Sequence, residues 1–260
     1  MNEFQNPHLD GRSFILTGTN KTCVIMIHGF TATTIEVRPL ATYLNEVGGY
    51  TVYAPLLPGH GTTPSDLNKK TWKDWVEFIE SQYIEVKGDY TSIFLAGESM
   101  GGVVASYIAS KFPEVSGVIL YAPALKVENL GLSRFVRFFK NTIPKKSFSN
   151  DNKHKYPWQG YKVHPTNAAF QMYQLQKATK ARLKLITQPT IIFHGKLDKT
   201  ISSDSPRIIF DKIGSNKKEY IKLEKSGHTI ILDQEFDFVA RKTLEFLRIN
   251  EKLVENVANY

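Results

Sequence analysis

The chain has 260 residues, of which 42% are hydrophobic, and this is enough for one globular domain with an extended core. Its formal net charge is +8, but the range 123–185 holds 13 basic and 2 acidic residues, whereas the rest holds 20 basic and 23 acidic residues. A charge excess confined to one segment, without a recognised nucleic-acid motif, excludes a groove that follows a nucleic-acid backbone. We interpret the segment as a solvated basic face, with attraction of anionic substrates or lipid surfaces as the alternative.

The cysteine count and the N-terminal segment indicate the cellular compartment in which the protein is expected. The single cysteine, Cys23, excludes an internal disulfide and is typical of a reducing compartment. It lies in the apolar run 22–27, which predicts a buried and unreactive thiol. The segment 1–7 lacks the basic and apolar regions of a signal peptide, and no apolar run reaches the roughly 18 residues of a membrane span. We therefore expect a cytoplasmic protein with no stable membrane insertion.

Short apolar runs alternate with amphipathic segments along most of the chain. Strands are predicted over 13–16, 22–27, 51–54, 91–96, 115–121, 190–193 and 219–223. Helices are predicted over 36–47, 71–87, 103–112 and 236–247. The helix over 71–87 starts with a capping box of Thr71 and Asp74. This alternation predicts an α/β fold with a mostly parallel central sheet and helices on both faces.

Residues 123–185 interrupt the alternation, so we divide the chain into a core, 1–122 and 186–260, and an insert, 123–185. The insert is rich in aromatic residues and shows no convincing strand pattern. Helical patterns run over 132–139 and 167–183. Because loops at the carboxyl ends of parallel strands carry the site, we expect the insert to bury its own aromatic residues and form a small helical lid there.

The strand over 91–96 and the helix over 103–112 flank the sequence Gly97-x-Ser99-x-Gly101. This motif places a serine in a sharp strand-to-helix turn, where the hydroxyl projects from the sheet. Side chains at the two glycine positions would collide with neighbouring backbone. The N-terminus of the following helix adds positive potential where an oxyanion would form. The pattern predicts that Ser99 is a nucleophile, and an ordinary glycine-rich turn is the alternative.

A serine hydroxyl needs a general base, and that base needs a carboxylate to orient it. Asp198 and His228 each follow a predicted strand, so both are expected at the same edge of the sheet as Ser99. The chain order serine, aspartate, histidine is one of the known orders of such triads. Asp204 or Asp211 could replace Asp198, although both lie in or near a predicted helix.

Two aligned backbone N–H groups are needed to hold the oxyanion of a tetrahedral intermediate. The residue after the nucleophile, Met100, supplies the first. The second is expected from the loop after the strand over 22–27, which reads His28-Gly29-Phe30, and we assign it to Phe30. An ordinary tight turn is the alternative there. The sequence has no metal-binding motif and no phosphate-binding loop, so we expect no metal and no cofactor.

Several short motifs occur together in this chain. They are His28-Gly29-Phe30-Thr31, Arg38-Pro39-Leu40, Pro58-Gly59-His60-Gly61-Thr62, Trp72-x-x-Trp75, Gly97-x-Ser99-Met100-Gly101-Gly102, Asp198 and Ser226-x-His228. As a set they resemble the α/β-hydrolase superfamily, and more narrowly the group of bacterial carboxylesterases and monoacylglycerol lipases. The resemblance covers 20–125 and 185–250, and the insert only loosely. It implies attack by Ser99, a tetrahedral intermediate held by Phe30 and Met100, and an acyl-enzyme hydrolysed by water that His228 activates.

The resemblance implies a serine carboxylesterase acting on short-to-medium-chain acyl esters. A monoacylglycerol lipase is the second hypothesis, because the insert has only Glu128 and Asp151 as carboxylates and no recognisable polar set for a glycerol headgroup. An aryl or feruloyl esterase, an amidase or a C–C bond hydrolase stays open, since the triad fixes the mechanism and the insert fixes the substrate. The intact set of site residues argues against a non-enzymatic ligand-binding module.

A small-molecule ester is the expected partner, and aromatic side chains are expected to line its acyl pocket. The candidates are Phe30, Phe135, Phe139, Trp158, Tyr161 and Phe170. Ordinary packing of the aromatic residues in the insert is the alternative.

Overall fold

The computed structural model describes residues 4–145 and 154–258, with side chains described as far as residue 251. Its strands are β1 Phe4–Gln5, β2 Phe14–Leu16, β3 Thr22–Ile27, β4 Thr51–Ala54, β5 Ser92–Glu98, β6 Gly117–Tyr121, β7 Thr142–Pro144, β8 Gly160–Tyr161, β9 Val163–Pro165, β10 Thr190–Gly195 and β11 Lys218–Leu223. Its helices are α1 Arg38–Gly48, α2 Pro64–Leu67, α3 Trp72–Val86, α4 Met100–Ala109, α5 Ser133–Val136, α6 Thr166–Lys180, α7 Ser205–Lys212 and α8 Phe236–Ala258. Asp151, one of the two carboxylates predicted in the insert, lies outside the described residues.

Seven strands form the central sheet in the order β11-β10-β6-β5-β3-β4-β2. All neighbouring pairs are parallel except β2 with β4, so β2 is an antiparallel edge. Every residue of β3, β5, β6 and β10 is buried, which is typical of parallel strands covered on both faces. The predicted mostly parallel sheet is therefore confirmed. Cys23 in β3 is buried as expected, and burial raises the pKa of its thiol to about 12.

Helices cover both faces of the sheet, as predicted. α8 packs on β5 and β6 and contacts α1, while α4 packs on β3, β5 and β6 and contacts α3. The predicted capping box of α3 is present, because the Thr71 N–H donates to Asp74 Oδ2 at 2.6 Å and the Asp74 N–H donates to Thr71 Oγ1 at 3.4 Å. Within the described residues, no helix has the length and apolar character that a membrane crossing requires.

The segment before α1 differs from the prediction, which placed Glu36 at the start of the helix. A 3-10 turn over Thr34–Glu36 comes first, and α1 begins after it. The Thr33 hydroxyl caps this turn by accepting the Ile35 N–H at 3.4 Å. Pro39 stands in the first turn of α1, where its missing N–H has no cost. The break leaves the Glu36 side chain directed at the loop after β3, where it accepts a backbone hydrogen bond.

The described part of the insert contains three short strands, which contradicts the prediction that the insert has no convincing strand. β8 pairs antiparallel with β1, β7 pairs antiparallel with β9, and Gly160 forms a further bridge with Ala32. Strands of two or three residues are too short to show an alternating pattern in the sequence. The helix predicted over 167–183 corresponds to α6, whereas the pattern over 132–139 forms only a 3-10 turn and the four-residue α5.

The apolar side chains around α5 lie open to solvent, which contradicts the expectation that the insert buries its own aromatic residues. Phe135, Phe138 and Phe139 are 53%, 72% and 86% exposed. The guanidinium groups of Arg134 and Arg137 lie 4.4 Å and 4.7 Å from the ring centroids of Phe135 and Phe138. α5 is a single turn that packs on α6 and ends before Phe138 and Phe139, and cation–π contacts cover the exposed rings of Phe135 and Phe138.

Candidate active site

Ser99 stands in the turn between β5 and α4, where its backbone has φ 54° and ψ −113°. This is an unfavourable conformation for a residue with a side chain, and the surrounding contacts hold it. A Cβ at Gly97 would lie 2.3 Å from the carbonyl group of Gly101, and a Cβ at Gly101 would lie 2.1 Å from the carbonyl oxygen of Ile27. The two glycines are therefore required by close backbone approach, as the sequence predicts.

The three predicted triad residues meet at the carboxyl edge of the sheet. His228 Nε2 lies 2.8 Å from Ser99 Oγ, and His228 Nδ1 lies 2.7 Å from Asp198 Oδ2. A carboxylate can only accept at this pair, so the proton of the neutral imidazole lies on Nδ1. Nε2 is then free to accept the proton of the serine hydroxyl, which is the arrangement that nucleophilic catalysis by serine requires.

Electrostatics favour an ionised Asp198 beside a basic His228. The Asp198 carboxyl is buried, and its Oδ1 accepts the N–H groups of Thr200 at 2.8 Å and Ile201 at 3.2 Å. Burial alone would raise the pKa of Asp198, but the charge of His228 and these hydrogen bonds outweigh it and lower the pKa. For His228, burial alone would lower the pKa, but the charge and hydrogen bond of Asp198 and the charge of Glu36 raise it.

The two alternative carboxylates lie elsewhere. Asp204 forms a surface ion pair with Lys126 at 2.7 Å, and Asp211 pairs with Arg207 within α7 at 2.9 Å. Both are about half exposed, and each is committed to a neighbouring cation. Among the predicted carboxylates, the structure brings only Asp198 to the histidine.

The loop that carries His28, Gly29 and Phe30 lies directly against the turn at Ser99. A Cβ at Gly29 would be 3.3 Å from the Cβ of Ser99. The Leu57 N–H donates to His28 Nε2 at 3.0 Å, so the ring proton is on Nδ1 and donates to the carbonyl oxygen of Gly29 at 2.9 Å. Burial lowers the pKa of His28 to about 4, which keeps the ring neutral.

This arrangement orients the two N–H groups predicted for the oxyanion hole. A trans peptide directs the Phe30 N–H away from the side on which the Gly29 carbonyl is held. Among the residues that the structure describes, no acceptor bonds the Phe30 N–H. Met100 is the first residue of α4, so its N–H has no partner within the helix and lies at the positive end of the helix dipole. The assignment of Phe30 and Met100 to an oxyanion hole stays a prediction that fits this geometry.

Three of the predicted acyl-pocket residues lie near the oxyanion loop. The partly buried Phe30 faces the ring of Trp75 at a centroid distance of 6.4 Å. The indole N–H of Trp158 donates to Glu36 Oε1 at 3.0 Å. The buried Tyr161 hydroxyl donates to the carbonyl of Gly59 at 2.8 Å. Trp158 and Tyr161 thus have structural partners, and their place in an acyl pocket stays a prediction.

The other three candidates lie farther out in the insert. Phe135 and Phe139 are at the solvent surface, and Phe170 lies partly buried beneath the guanidinium group of Arg137, 4.0 Å from the ring centroid. Their assignment to the pocket also stays a prediction. Aromatic composition identified the insert as rich in rings but could not separate packed rings from exposed ones.

Sequence reasoning missed two carboxylates that hold the site loops. Glu36 Oε2 accepts the N–H of Gly29 at 2.5 Å, and Asp233 Oδ2 accepts the N–H of Gly227 at 2.7 Å. Each lies seven or six residues after a glycine that adjoins a site residue. An acidic residue at this spacing after a site glycine is the signal that could have found them.

A third missed carboxyl is Glu98, which precedes Ser99 and is buried beneath the turn. Burial raises its pKa well above the ordinary value, and the charges of Glu36 and Asp198 raise it further. The neutral acid form is therefore favoured, which avoids a third negative charge beside the triad.

Comparisons with known proteins show the family to which the chain belongs. Residues 18–235 match the family described as serine aminopeptidase, S33. The chain is 32% identical over 248 residues to a thermostable monoacylglycerol lipase of Bacillus sp. (strain H-257), covering 93% of this chain and 96% of the relative. It is 31% identical over 241 residues to a carboxylesterase of Bacillus subtilis (strain 168), covering 91% and 96%. A solved structure from the metagenome-derived lipolytic enzymes LipS and LipT superposes with a TM-score of 0.85 at 27% identity, covering 92% and 97%.

Proposed function

Because this chain belongs to the serine aminopeptidase S33 family of α/β-hydrolases, we propose that it is a serine carboxylesterase that hydrolyses short-to-medium-chain acyl esters. The family resemblance expected from the motifs is confirmed by this match and by the esterase and lipase relatives. One observation carries the proposal: an unbroken hydrogen-bonded line from Asp198 through His228 to the hydroxyl of Ser99.

In the proposed reaction, Ser99 Oγ attacks the ester carbonyl carbon while His228 Nε2 takes the hydroxyl proton. The negative charge that develops on the carbonyl oxygen is held by the N–H groups of Phe30 and Met100. The intermediate collapses when the C–O bond to the alcohol breaks and His228 returns the proton to the leaving oxygen. A water molecule, deprotonated by His228, then attacks the acyl carbon. The bond between that carbon and Ser99 Oγ breaks, His228 returns the proton to Ser99 Oγ, and the acid is released. Asp198 keeps the imidazole oriented and stabilises its cation.

The second candidate is a monoacylglycerol lipase, which the 32% identity to a relative of that name favours. Within the described part of the insert, Glu128 is an exposed carboxylate at the surface rather than part of a polar pocket. Simple acyl esters therefore come first, since they need an apolar pocket and no headgroup site.

Hydrolysis of p-nitrophenyl butyrate tests the proposal. Ser99→Ala is expected to lower kcat by about 10⁵- to 10⁶-fold, the range seen when a triad serine is removed. Ser106→Ala is the matched control, because Ser106 is also buried, lies in α4 and its hydroxyl donates to the Gly102 carbonyl at 2.7 Å. Ester hydrolysis that persists in Ser99→Ala, or a wild-type chain inactive on every ester tested, would overturn the proposal.

A substrate series then separates the candidates. p-Nitrophenyl esters of increasing acyl length are compared with a monoacylglycerol and with an aminoacyl p-nitroanilide. We expect the highest kcat/KM on a short or medium acyl ester. A kcat/KM at least about tenfold higher on the monoacylglycerol would put the lipase first, since tenfold corresponds to roughly 1.4 kcal/mol of transition-state binding.

A further inference from the structure

The carboxylate of Glu36 is buried between the core and the insert, and each of its oxygens accepts a different donor. Oε2 accepts the backbone N–H of Gly29, in the loop after β3, at 2.5 Å. Oε1 accepts the indole N–H of Trp158, in the insert, at 3.0 Å. The Glu36 side chain therefore joins the oxyanion loop to the insert through a single carboxyl group.

Gly29 lies between this carboxylate and the nucleophile. A Cβ at Gly29 would be 3.0 Å from Glu36 Oε2 and 3.3 Å from the Cβ of Ser99. Its carbonyl is held by His28 at 2.9 Å and its N–H by Glu36, so both polar groups of Gly29 are fixed. The next N–H along the chain belongs to Phe30, so a shift of Gly29 displaces the predicted oxyanion donor.

The insert holds the following residues of the same loop. The Tyr161 N–H donates to the Thr31 carbonyl at 2.9 Å, and the Lys145 ammonium donates to the Thr31 hydroxyl at 2.5 Å. Thr31 has φ 64°, a left-handed conformation that a threonine adopts only when its surroundings impose it. The loop is thus clamped from the core side by Glu36 and from the outer side by the insert.

We propose that Glu36 is a positioning residue that sets the orientation of the oxyanion loop and couples it to the insert through Trp158. The inference rests on the proposed function, because an oxyanion loop matters only if Ser99 forms a tetrahedral intermediate. A carboxylate is needed because two donors converge on it and both of its oxygens accept. Glutamine has one accepting oxygen and one NH₂ group, so it would set a donor against a donor at one of the two sites.

This chemistry gives a test by rescue. In Glu36→Gln the amide NH₂ opposes either the Trp158 or the Gly29 donor, and we expect kcat on p-nitrophenyl butyrate to fall about 10- to 100-fold, with KM within about twofold. That loss is smaller than the 10²- to 10³-fold cost of removing an oxyanion donor outright. Trp158→Phe removes the indole donor and breaks the link to the insert, so its own kcat is the reference for the double variant. The double variant E36Q/W158F lets the glutamine oxygen face Gly29, and we expect its kcat to match Trp158→Phe within about threefold.

Ile79→Val is the control for general loss of stability, because Ile79 is buried in α3, and we expect its kcat to be unchanged. An unchanged kcat in Glu36→Gln would overturn the inference, and so would a double variant as impaired as Glu36→Gln. If Glu36→Gln does not fold, the double variant is compared with Trp158→Phe alone, and a drop of more than tenfold between them overturns it. Failure of the proposed function can be told apart from failure of this inference, because in that case Ser99→Ala would still hydrolyse the ester.

Discussion

The loops at the carboxyl edge of the sheet and the outer surface of the insert differ in which side chains they bury. The loops bury carboxyl groups, whereas the outer surface leaves aromatic rings exposed to solvent. At the sheet edge, the carboxyl groups of Asp198 and Glu36 are buried and hydrogen-bonded. Around α5, Phe138 and Phe139 face solvent, and Phe138 lies beside the guanidinium group of Arg137. A buried charged or polar group costs free energy unless it is paired or hydrogen-bonded. The side chains at the sheet edge are therefore tightly constrained in position. The exposed surface carries no such constraint and can change without loss of the fold.

The insert itself has two parts that differ in burial. Tyr161 is fully buried and bonds Gly59 of the core, and Gln159 bonds the backbone of Asn6 and Leu9 near the N-terminus. This inner segment of the insert is built into the core, whereas the region of α5 lies outside it. Motion of the insert around α5 would leave the clamp on the oxyanion loop in place.

The largest effect is expected at the sheet edge, for Asp198→Asn. An asparagine NH₂ group facing His228 Nδ1 favours the tautomer in which Nε2 carries the proton and cannot accept the one from Ser99. We expect kcat to fall about 10⁴-fold, as in serine-protease triads. Single-turnover and steady-state hydrolysis of p-nitrophenyl butyrate measure this loss.

Asp204→Asn and Asp211→Asn are the matched controls for the same isosteric change. Both residues form ion pairs that are about half exposed, which contribute little, so kcat should stay within about twofold. If Asp204→Asn lost its esterase activity while Asp198→Asn kept it, the triad carboxylate would have been assigned to the wrong residue.

The same contrast explains what the sequence could predict. The strands, the turn at Ser99 and the positions of Asp198 and His228 follow from local apolar runs and from glycines at strand ends. The contact of Glu36 with Trp158 could not be predicted in this way, because the two residues are 122 positions apart and no local pattern indicates such a pairing. The strands of the insert were missed because two or three residues carry no period.

Exposure in the insert was mispredicted for a related reason. Phe135 and Phe139 fall on one helical face in the sequence, and such a face usually packs on a core. Whether every residue of such a face packs depends on helix length, and α5, which contacts α6, ends at Val136 before Phe139 is reached. Periodicity reports which residues share a face but not what lies opposite that face.

A medium effect is expected from adding one methyl group to a glycine in each region. In Gly97→Ala the new Cβ would lie 2.3 Å from the Gly101 backbone, which cannot move aside as a side chain can. Overpacking against side chains costs typically 1–3 kcal/mol, so we expect a loss of about 3 kcal/mol or more and no measurable esterase activity. Urea unfolding and ester hydrolysis measure the two effects.

Gly131→Ala is the counterpart in the insert, because its Cβ would meet only the ring of Tyr173 at an ordinary 3.5 Å. We expect the variant to keep its activity and its free energy of unfolding to change by no more than about 1 kcal/mol. Any change should be stabilising, because alanine lowers the conformational entropy of the unfolded chain. Equal tolerance at both glycines would contradict the close backbone approach at the turn.

The smallest effect is expected for Phe139→Ala, since a side chain that is 86% exposed contributes little to the free energy of unfolding. We expect a change within about 0.5 kcal/mol. Phe94→Ala, in the fully buried centre of β5, should cost about 3–5 kcal/mol and sets the scale. Urea unfolding of the two variants measures the difference between the regions directly.

Activity measurements on the same variant decide whether Phe139 belongs to the acyl pocket. If the ring covers the acyl chain of a bound ester, its loss removes apolar contact that grows with chain length, at about 0.8 kcal/mol per CH₂. KM should then rise more for an octanoate ester than for an acetate ester, while kcat stays constant because the triad is untouched. An equal KM change for both esters would exclude Phe139 from the pocket and leave substrate choice to the inner rings, Phe30 and Trp158.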